Sequence, residues 1–486
     1  MTGKRKPIQY LSSLTGSGKS EHVIDKIANG DEKYIIVAPN RELCDELYAR
    51  LVYSFDTNIE PEEDAMVIHQ NTNDRPSKQL KHCIEDNNTV RILITTHAAF
   101  FLMLNKSINV SDWNLILDEE MPIFEEHEIN VTKYTKSILE DTLEFEKTHD
   151  NGFYNISFKK PMFGLNHNAG IIRDSFLNNK VYNKLSKHIL DDKYDTLVSE
   201  ESLEYFNNSE LDDNGKKFTK FYAISILRLE ILYKFKSILV LCSFFEKTVT
   251  YKLLKCLGCE LKPYYYIPDM TEHANTEKIT IHYFFDMNWS TTLRKTRINK
   301  KKTVEELVYE NIKALIGNEK FLYNANINFR NTIKGGTLAA STHGINKYKT
   351  YTEMVFMPSL NATSATVKLL SKFGMKRHDI DFARNVLTAY QFASRGAIRD
   401  VNNEKDVNLY VMDKRTAVFL KSVFTKAKIK HHSMDEIVKT KTSTKKVPNN
   451  IKSFMSRVRR RLNDGETVRP KTLQKYRDYY EEYYNG

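Results

Sequence analysis

The residues best suited to chemistry begin with a short run of small side chains, Ser13-Leu14-Thr15-Gly16-Ser17-Gly18-Lys19-Ser20. An apolar segment, 8–11, precedes this run, and a helical pattern follows it. In a strand, turn and helix arranged in this order, successive backbone N–H groups can surround the phosphates of a nucleotide. The pattern G-x-x-x-x-G-K-[ST] has glycine at its first position, where this sequence has Ser13. A serine-rich turn with an exposed lysine is the alternative interpretation.

We interpret this run as a phosphate-binding loop for a nucleoside triphosphate. Lys19 would reach the β and γ phosphates, and the hydroxyl of Ser20 would be a ligand of Mg²⁺. The residues expected to hold the nucleotide are Thr15, Gly16, Ser17, Gly18, Lys19 and Ser20.

Two carboxylates, Asp118 and Glu119, stand at the end of another apolar segment, 115–117. Asp118 would hold Mg²⁺ through its water shell, and Glu119 would orient or activate the water molecule that attacks the γ phosphate. The alternative is a pair of solvated carboxylates at a strand end. Together with the loop, this pair predicts hydrolysis of the triphosphate with Mg²⁺ as cofactor.

The elements that must position these residues alternate between strand and helix over the first third of the chain. Five apolar segments are typical of strands: 8–12, 34–38, 66–69, 91–95 and 115–118. Such alternation predicts a parallel sheet with helices on both faces, and the carboxyl ends of its strands line the ligand crevice. We therefore expect the functional residues at those ends.

Two interruptions divide the rest of the chain. Between 122 and 233 the alternation is lost, and helical patterns such as 218–235 predict a mainly helical insertion into the first domain. A segment rich in Pro and Tyr, 263–277, predicts a linker to a second alternating block. We predict two α/β domains built on parallel sheets and flanked by helices, with a basic C-terminal extension. The expected bounds are 1–262 for the first domain, 263–277 for the linker, 278–424 for the second domain and 425–486 for the extension.

Basic residues are concentrated in the C-terminal extension. The chain of 486 residues has a net charge of +11, and residues 421–470 hold fourteen Lys and Arg against four Asp and Glu. This excess favours nucleic acid as the partner, with an anionic membrane surface as the second option. A solvated helix face is the alternative for the charged run. We expect four arginines on a helical pattern to contact phosphates: Arg457, Arg459, Arg460 and Arg461.

Cysteine usage and hydropathy bear on the compartment. The five cysteines are scattered and odd in number, which is typical of free thiols in a reducing compartment. The sequence opens without the pattern of a signal peptide, and no run approaches ~18 apolar residues. We expect a cytoplasmic protein that spans no membrane.

Several motifs together resemble one family, the superfamily 2 helicases and translocases, which are nucleic-acid-dependent ATPases with two RecA-like domains. Residues 13–20 are similar to its motif I, and Asp118-Glu119 is similar to motif II, here spelled D-E-E-M. The resemblance covers about 8–421 outside the insertion. Other segments are similar to the remaining motifs: 37–43 to Ia, 94–100 to Ib, 241–244 to III, 323–326 to IV, 341–346 to V and 390–399 to VI.

The resemblance implies roles for individual residues. The nucleic-acid backbone would be contacted by Asn40, Arg41, Thr95, His97, Asn326 and Thr342. The ATP site would be completed from the second domain by Gln391, Arg395 and Arg399. Arg399 lies one position later than the last arginine of Q-x-x-G-R-x-G-R, so the arginine that reaches the γ phosphate stays open. Without the family, Arg41 is a surface charge, and Thr95 and His97 belong to a capped strand end.

The resemblance implies an ATP-dependent helicase or translocase that uses ATP and Mg²⁺ and acts on DNA in preference to RNA. The motif spelling and the composition rich in Lys, Asn and Ile are most like helicases of phages and other DNA viruses, which suggests replication, recombination or repair of such DNA in the host cytoplasm. Two alternatives remain: a motor on double strands that does not unwind them, and a nucleic-acid-binding scaffold with a degenerate ATPase site. The insertion at 122–233 is placed to contact the strand or a protein partner.

Overall fold

A computed structural model describes the following residues of the chain: 6–28, 30–55, 64–72, 75–85, 90–148, 152–159, 183–209, 219–266, 270–298, 302–339, 348–436, 449–463, 468 and 470–480. They form two domains on parallel sheets, one antiparallel sheet inserted into the first domain, and a C-terminal pair of helices. The predicted fold class, α/β with parallel sheets flanked by helices, is confirmed.

The first domain is built on a seven-stranded parallel sheet of order β12-β1-β11-β5-β2-β4-β3. With all strands of the chain numbered in order, these are β1 (Ile8–Ser12), β2 (Lys33–Ala38), β3 (Ala65–Ile68), β4 (Ile92–Thr96), β5 (Trp113–Asp118), β11 (Ser237–Cys242) and β12 (Leu261–Pro263). The central strands are almost continuous runs of Ile, Leu and Val because helices bury both faces. The covering helices are α1 (Lys19–Ala28), α2 (Arg41–Ser54), α3 (Pro76–Glu85), α4 (His97–Met103) and α9 (Val249–Cys256).

The insertion is a sheet, so the prediction of a mainly helical insertion is wrong. Five antiparallel strands run in the order β6-β10-β9-β8-β7 and span Phe124–Val131, Thr219–Leu227, Tyr194–Ser199, Phe153–Phe158 and Leu143–Lys147. Its helices are α5 (Lys133–Thr142), α6 (Asn183–Leu190), α7 (Glu200–Asn207) and α8 (Leu229–Leu232). The segment predicted as helical, 218–235, contains β10. From Ala223 onward both faces of β10 are buried, so its apolar residues do not show the alternation that is typical of a half-exposed strand.

The second domain is built on a six-stranded parallel sheet of order β17-β16-β18-β19-β13-β20. These strands are Gly336–Leu338, Phe321–Asn324, Glu353–Phe356, Val407–Val411, Ile279–Tyr283 and Lys428–His431, and a small antiparallel pair, β14 and β15, spans Arg297–Ile298 and Lys302–Thr303. Its helices are α10 (Thr291–Lys295), α11 (Val304–Ile316), α12 (Ile327–Arg330), α13 (Ser364–Ser371), α14 (Arg377–Asp381), α15 (Leu387–Ala393) and α16 (Lys414–Val423). A π-helical turn, Phe382–Val386, joins α14 to α15.

Two edge strands shift the predicted domain boundaries. β20 pairs with β13, so the second domain extends beyond residue 424 into the predicted extension. β12 pairs with β1, so the first domain extends to Pro263, which is the first residue of the predicted linker. Both strands are short and largely exposed, which removes the apolar pattern by which strands are recognised.

The second domain also packs into the first. α13, α14 and the loop between them bury apolar side chains in the same cluster as the first sheet and the insertion. The ring of Phe373 stacks on Phe153 of the insertion at 5.2 Å between centroids, and Arg384 donates to Glu126 at 2.7 Å. The insertion therefore touches both domains and holds them side by side.

The C-terminal extension contributes two helices, α17 (Asn449–Asn463) and α18 (Pro470–Tyr480), which pack through Ile451, Phe454, Met455 and Tyr476. Among the described residues, no helix combines the length and the apolar character needed to cross a membrane.

Candidate active site between the two parallel sheets

The predicted phosphate loop joins β1 directly to α1. Gly16 and Gly18 adopt φ of +83° and +81°, a region that favours glycine, and this conformation turns the loop around the helix N-terminus. The hydroxyls of Ser13 and Ser17 lie 2.6 Å apart and form a hydrogen bond across the loop. Ser13, in place of the first glycine of the pattern, therefore closes the loop through its side chain.

Lys19 lies inside the loop at the start of α1. Its ammonium donates to the carbonyls of Leu14 at 2.7 Å and Ser13 at 3.2 Å and to the hydroxyl of Ser243 at 3.3 Å. Burial lowers the pKa of Lys19, and the carboxylate of Glu119 opposes that shift. The lysine is thus a buried cation whose partners are weak neutral acceptors, and a phosphate would bind it more strongly.

Ser20 and Asp118, the two predicted magnesium ligands, are adjacent. The Ser20 hydroxyl donates to Asp118 Oδ1 at 3.0 Å. Burial, aided by Glu119, raises the pKa of Asp118 to about 6, while Ser20 and Lys19 act in the opposite direction. A hydroxyl and a buried carboxylate are the oxygen ligands that Mg²⁺ prefers, so these residues fit the ion.

Glu119 occupies a strained turn after β5. Its φ of +81° is unusual for a residue with a side chain, and its N–H donates to the carbonyl of Leu241 on β11 at 2.8 Å. Its Oε2 accepts a hydrogen bond from Gln391 Nε2 of the second domain at 3.2 Å. Burial raises the pKa of Glu119, whereas Lys19 and Arg395 lower it. The turn aims a potential base away from the sheet and across the cleft.

Motif VI faces this carboxylate from the end of α15. Arg395 is 3% exposed, and its Nε donates to the carbonyl of Gln391 at 3.1 Å. Burial lowers the pKa of Arg395 to about 10, and Glu119 is the main opposing charge. Burial also lowers the pKa of Arg399, but there the main opposing charge is Glu46 on α2. Glu119 therefore acts on both arginines, but it is the main opposing charge only for Arg395.

These groups line one cavity of about 510 Å³ between the two sheets. The structure thus brings the loop, Asp118 and Glu119 together with Gln391, Arg395 and Arg399, as the sequence predicts, while the role of each residue stays a prediction. Other lining residues were not singled out from the sequence: Glu21, Leu43, Glu46, Arg50, Met270, His273, Ala274, Lys349, Ile398 and Val401. Leu43 and Ile398 lie within the segments similar to motifs Ia and VI, whereas the others lie outside every motif segment and carry no motif signal.

Ser243, in the weakly matching motif III, also contacts the loop. Its hydroxyl lies 3.0 Å from Thr15 Oγ1 and 3.3 Å from Lys19 Nζ. The next residue, Phe244, adopts a left-handed conformation with φ of +54° and packs its ring on Tyr390 and Phe419 of the second domain. This segment therefore links the phosphate loop to the opposite domain.

Comparison with known proteins agrees with this geometry. Residues 8–147 match the family model of the DEAD/DEAH box helicases. This match covers the phosphate loop and the Asp118-Glu119 pair, and it indicates an ATP-hydrolysing enzyme of the helicase type. No curated protein matches the sequence.

Solved structures that are similar to this chain are distant in sequence. An apo structure of XPD is 10% identical with a TM-score of 0.44, and the match covers 87% of this chain and 97% of that one. The structure of S. cerevisiae Dbp5 bound to RNA and ADP BeF3 is 11% identical with a TM-score of 0.38, with coverage of 90% and 89%.

A second groove of the first domain, of about 400 Å³, lies where β2 and β4 end. Asn40 caps α2 by accepting from Leu43 N at 2.9 Å, and Arg41 donates to Asn71 Oδ1 at 2.6 Å. Thr96 caps α4, with its hydroxyl 3.3 Å from Ala99 N. The groove is lined by Pro39, Asn40, Arg41, Glu42, Gln70, Pro76, Ser77, Thr96, Ala98, Ala99 and Leu102.

Thr95 does not fit its predicted contact with nucleic acid. It is fully buried, and its hydroxyl donates to the carbonyl of Ile68 at 2.7 Å. Neighbouring residues of a strand point to opposite faces, so Thr96 lines the groove and is partly exposed. His97 is partly exposed at the first position of α4, beside this groove.

The remaining predicted contacts lie elsewhere. Asn326 accepts from Ser359 N at 2.9 Å and so joins the end of β16 to the loop after β18. Thr342 lies outside the described residues. The four arginines of α17 are all exposed, opposite the buried Met455 and Val458: Arg457, Arg459, Arg460 and Arg461.

Proposed function

We propose that the protein is an ATP-dependent helicase or translocase that tracks along DNA in preference to RNA. The observation that carries the proposal is the cavity shared by the phosphate loop, the Asp118-Glu119 pair and motif VI of the opposite domain. A site divided between two domains changes when they separate, so hydrolysis can be coupled to their relative movement.

The proposed hydrolysis uses groups already in contact. Lys19 holds the terminal phosphates, and Glu119, oriented by Gln391, accepts the proton of the attacking water. Ser20 and Asp118 would hold Mg²⁺, which would supply positive charge to offset the negative charge of the triphosphate in the transition state. We assign the γ phosphate to Arg395, because Glu119 is its main opposing charge, whereas the main opposing charge of Arg399 is Glu46.

The groove after β2 and β4 supports nucleic acid as the substrate. α2 and α3 begin at this groove, and helix N-termini attract phosphate through unpaired N–H groups and the helix dipole. Arg41 adds a positive charge. Contacts with the phosphates of nucleic acid do not depend on the base sequence, which is consistent with a motor that moves along any strand.

An ATPase assay tests the proposed chemistry. Lys19→Ala and Glu119→Gln should lower kcat at least about 100-fold in the presence of single-stranded DNA. Lys26→Ala is the matched control, since this exposed lysine of α1 only donates to Tyr264 OH at 2.9 Å. Hydrolysis at the normal rate in either active-site variant would exclude the mechanism.

Strand displacement on duplexes with 3′ or 5′ overhangs separates a helicase from a motor that does not unwind. Parallel DNA and RNA substrates test the substrate choice. ATP hydrolysis stimulated by DNA without displacement would favour the translocase, and no stimulation by either polymer would favour the scaffold. A phage or viral source, a cytoplasmic location and a protein partner for the insertion stay hypotheses, supported by the sequence alone.

The basic extension has its own test. Changing Arg457, Arg459, Arg460 and Arg461 to Gln should flatten the plot of log K against log salt for single strands by up to about 3. A control with Lys187 and Lys255 changed to Gln removes exposed cations elsewhere. An unchanged slope in the arginine variant would assign α17 to the solvated-face interpretation.

A further inference from the structure

A π-helical turn, Phe382–Val386, leads directly into α15, the helix that carries the start of motif VI. Single π-helical turns inside helices are rare and are frequently found at functional sites. The proposed hydrolysis uses Gln391 of α15 and Arg395 just after it, but it gives the π-helical turn no role. Two segments of the first domain contact this turn.

The first contact comes from Glu126 on β6, seven positions after Glu119. Its Oε1 accepts a hydrogen bond from Arg384 Nη2 of the turn at 2.7 Å, and its Oε2 accepts from Thr366 Oγ1 of α13 at 3.1 Å. Gln391, seven positions after Arg384, donates to Glu119. The segment that follows motif II is therefore bonded to the turn and to α15 at two separate points.

The second contact comes from Lys247, which follows motif III. Its Nζ lies 5.5 Å from the ring centroid of Phe382, the first residue of the turn, and 5.2 Å from that of Phe419 on α16. These two rings meet edge to face at 4.9 Å, and the ring of Phe244 lies 5.3 Å from the same ammonium. A cation within about 6 Å of an aromatic face is attracted by the ring quadrupole. Lys247 thus attaches the segment after motif III to the turn.

Both contacts lie outside the ATP site. Among the described residues, those that line the cavity of about 510 Å³ do not include Glu126, Lys247 or Arg384. The side chains of Glu126 and Arg384 are about one third exposed, and Lys247 is exposed, so the fold depends little on either contact. A substitution at these positions leaves the phosphate loop as it is and acts on hydrolysis through the turn.

From these contacts we infer that Glu126 and Lys247 are positioning residues for ATP hydrolysis. They hold the π-helical turn, and through α15 they hold Arg395 where it can stabilise the transition state. Such stabilisation requires accurate placement, and a displacement of about 1 Å can cost about 100-fold in rate. This inference rests on the proposed function, which assigns the γ phosphate to Arg395.

The test keeps or removes the charge at each contact in the full chain. Arg384→Gln and Lys247→Gln should each lower kcat about three- to tenfold, with KM for ATP within about twofold, because ATP binds mainly through the phosphate loop. Arg384→Lys and Lys247→Arg keep the cation and should retain kcat within about twofold. Lys368→Gln is the matched control, since it breaks a different exposed ion pair between the insertion and the second domain, the one with Glu201.

Hydrogen exchange of the nucleotide-free protein measures how firmly α15 is held, without turnover. Amide exchange over Leu387–Ala393 should become about threefold faster or more in Arg384→Gln and Lys247→Gln. It should stay unchanged in Lys368→Gln, because that pair lies on α13 and not on the π-helical turn.

Four outcomes would overturn the inference. An unchanged kcat in both Gln variants would show that hydrolysis does not depend on the turn, and a lower kcat without faster exchange would show an effect that bypasses α15. A rise in KM as large as the fall in kcat would place the effect in ATP binding. Equal effects in Lys368→Gln would mean a general loosening of the interface. The proposed function is tested separately by Lys19→Ala and Glu119→Gln, so its failure is distinguishable from each of these outcomes.

Discussion

The hydroxyl of Tyr390, in the second domain, accepts a hydrogen bond from the backbone N–H of Thr15, in the phosphate loop of the first, at 2.9 Å. The same hydroxyl lies 2.9 Å from His273 Nε2 of the linker. Gln391, the next residue, bonds Glu119. One turn of α15 therefore reaches both the loop and the predicted base.

Tyr390→Phe tests this contact. The ring packs on Phe244 and is fully buried, so the variant should fold and lose only the hydroxyl. We expect kcat for ATP to fall about two- to tenfold with KM nearly unchanged, because the neutral hydrogen bonds of this hydroxyl with Thr15 and His273 are lost. Tyr351→Phe is the control, because its hydroxyl bonds Thr337 within the second domain. Equal effects in both variants would mean a general loss of stability.

The two motif VI arginines, Arg395 and Arg399, should differ in how much they contribute to ATP hydrolysis. Arg395→Lys should lower kcat about 100-fold or more, because lysine lacks the planar fork that can contact two phosphate oxygens. Arg399→Lys should have a smaller effect, since Glu46 is its main opposing charge. Single-turnover hydrolysis measures both. A larger effect at Arg399 would reverse our assignment.

Activity should depend on the ionisation of Asp118. The raised pKa of about 6 keeps this carboxyl protonated in acid and ionised above that value, and Mg²⁺ requires the ionised form. The Mg²⁺ concentration for half-maximal ATPase should therefore rise about tenfold per pH unit below about 6 and stay level above about 7. Asp118→Asn is the control: because asparagine does not ionise, any pH dependence of its Mg²⁺ requirement reports the protonation of the nucleotide itself. The same pH dependence in that variant would assign the effect to another group.

Substitutions at Thr95 and Arg41 should separate effects on the stability of the fold from effects on DNA binding. Thr95→Val leaves the carbonyl of Ile68 without its donor and should lower the free energy of unfolding by about 1 to 3 kcal/mol, with the salt dependence of DNA binding unchanged. Arg41→Gln should leave the free energy of unfolding nearly unchanged and should flatten the slope of log K against log salt by about 0.7 for single strands. Urea unfolding and binding titrations measure the two. A flattened slope for Thr95→Val would contradict its burial.

The contact between the insertion and the second domain should contribute to stability. Phe373 is 8% exposed and stacks on Phe153, so Phe373→Ala should lower the free energy of unfolding by about 3 to 5 kcal/mol. Arg384→Gln should cost less than about 1 kcal/mol, because its pair with Glu126 is partly solvated. Urea denaturation compares them. An unaffected midpoint for Phe373→Ala would mean that this interface contributes little.

The sequence predicts the strands around the site closely. The segment predicted as 8–12 is β1, and the ones predicted as 34–38 and 115–118 differ from β2 and β5 by no more than two residues at either end. These strands are buried on both faces, so each is a long apolar run that ends abruptly. The failures are β10, taken for helix because both faces are buried, and β20, an exposed edge strand with no apolar pattern.

By itself the sequence determined the chemistry of each half-site, because a glycine-rich loop after a strand and a carboxylate pair after another depend on local backbone geometry. The family resemblance already assigned Gln391, Arg395 and Arg399 to this site, but only the tertiary structure decided which atoms bond across the cleft. The pairing of Gln391 with Glu119, the reach of Tyr390 to Thr15 and the position of Met270 over Gly16 join residues more than 200 positions apart. Such contacts follow from the packing of two sheets and leave no spacing in the chain that could be recognised in advance.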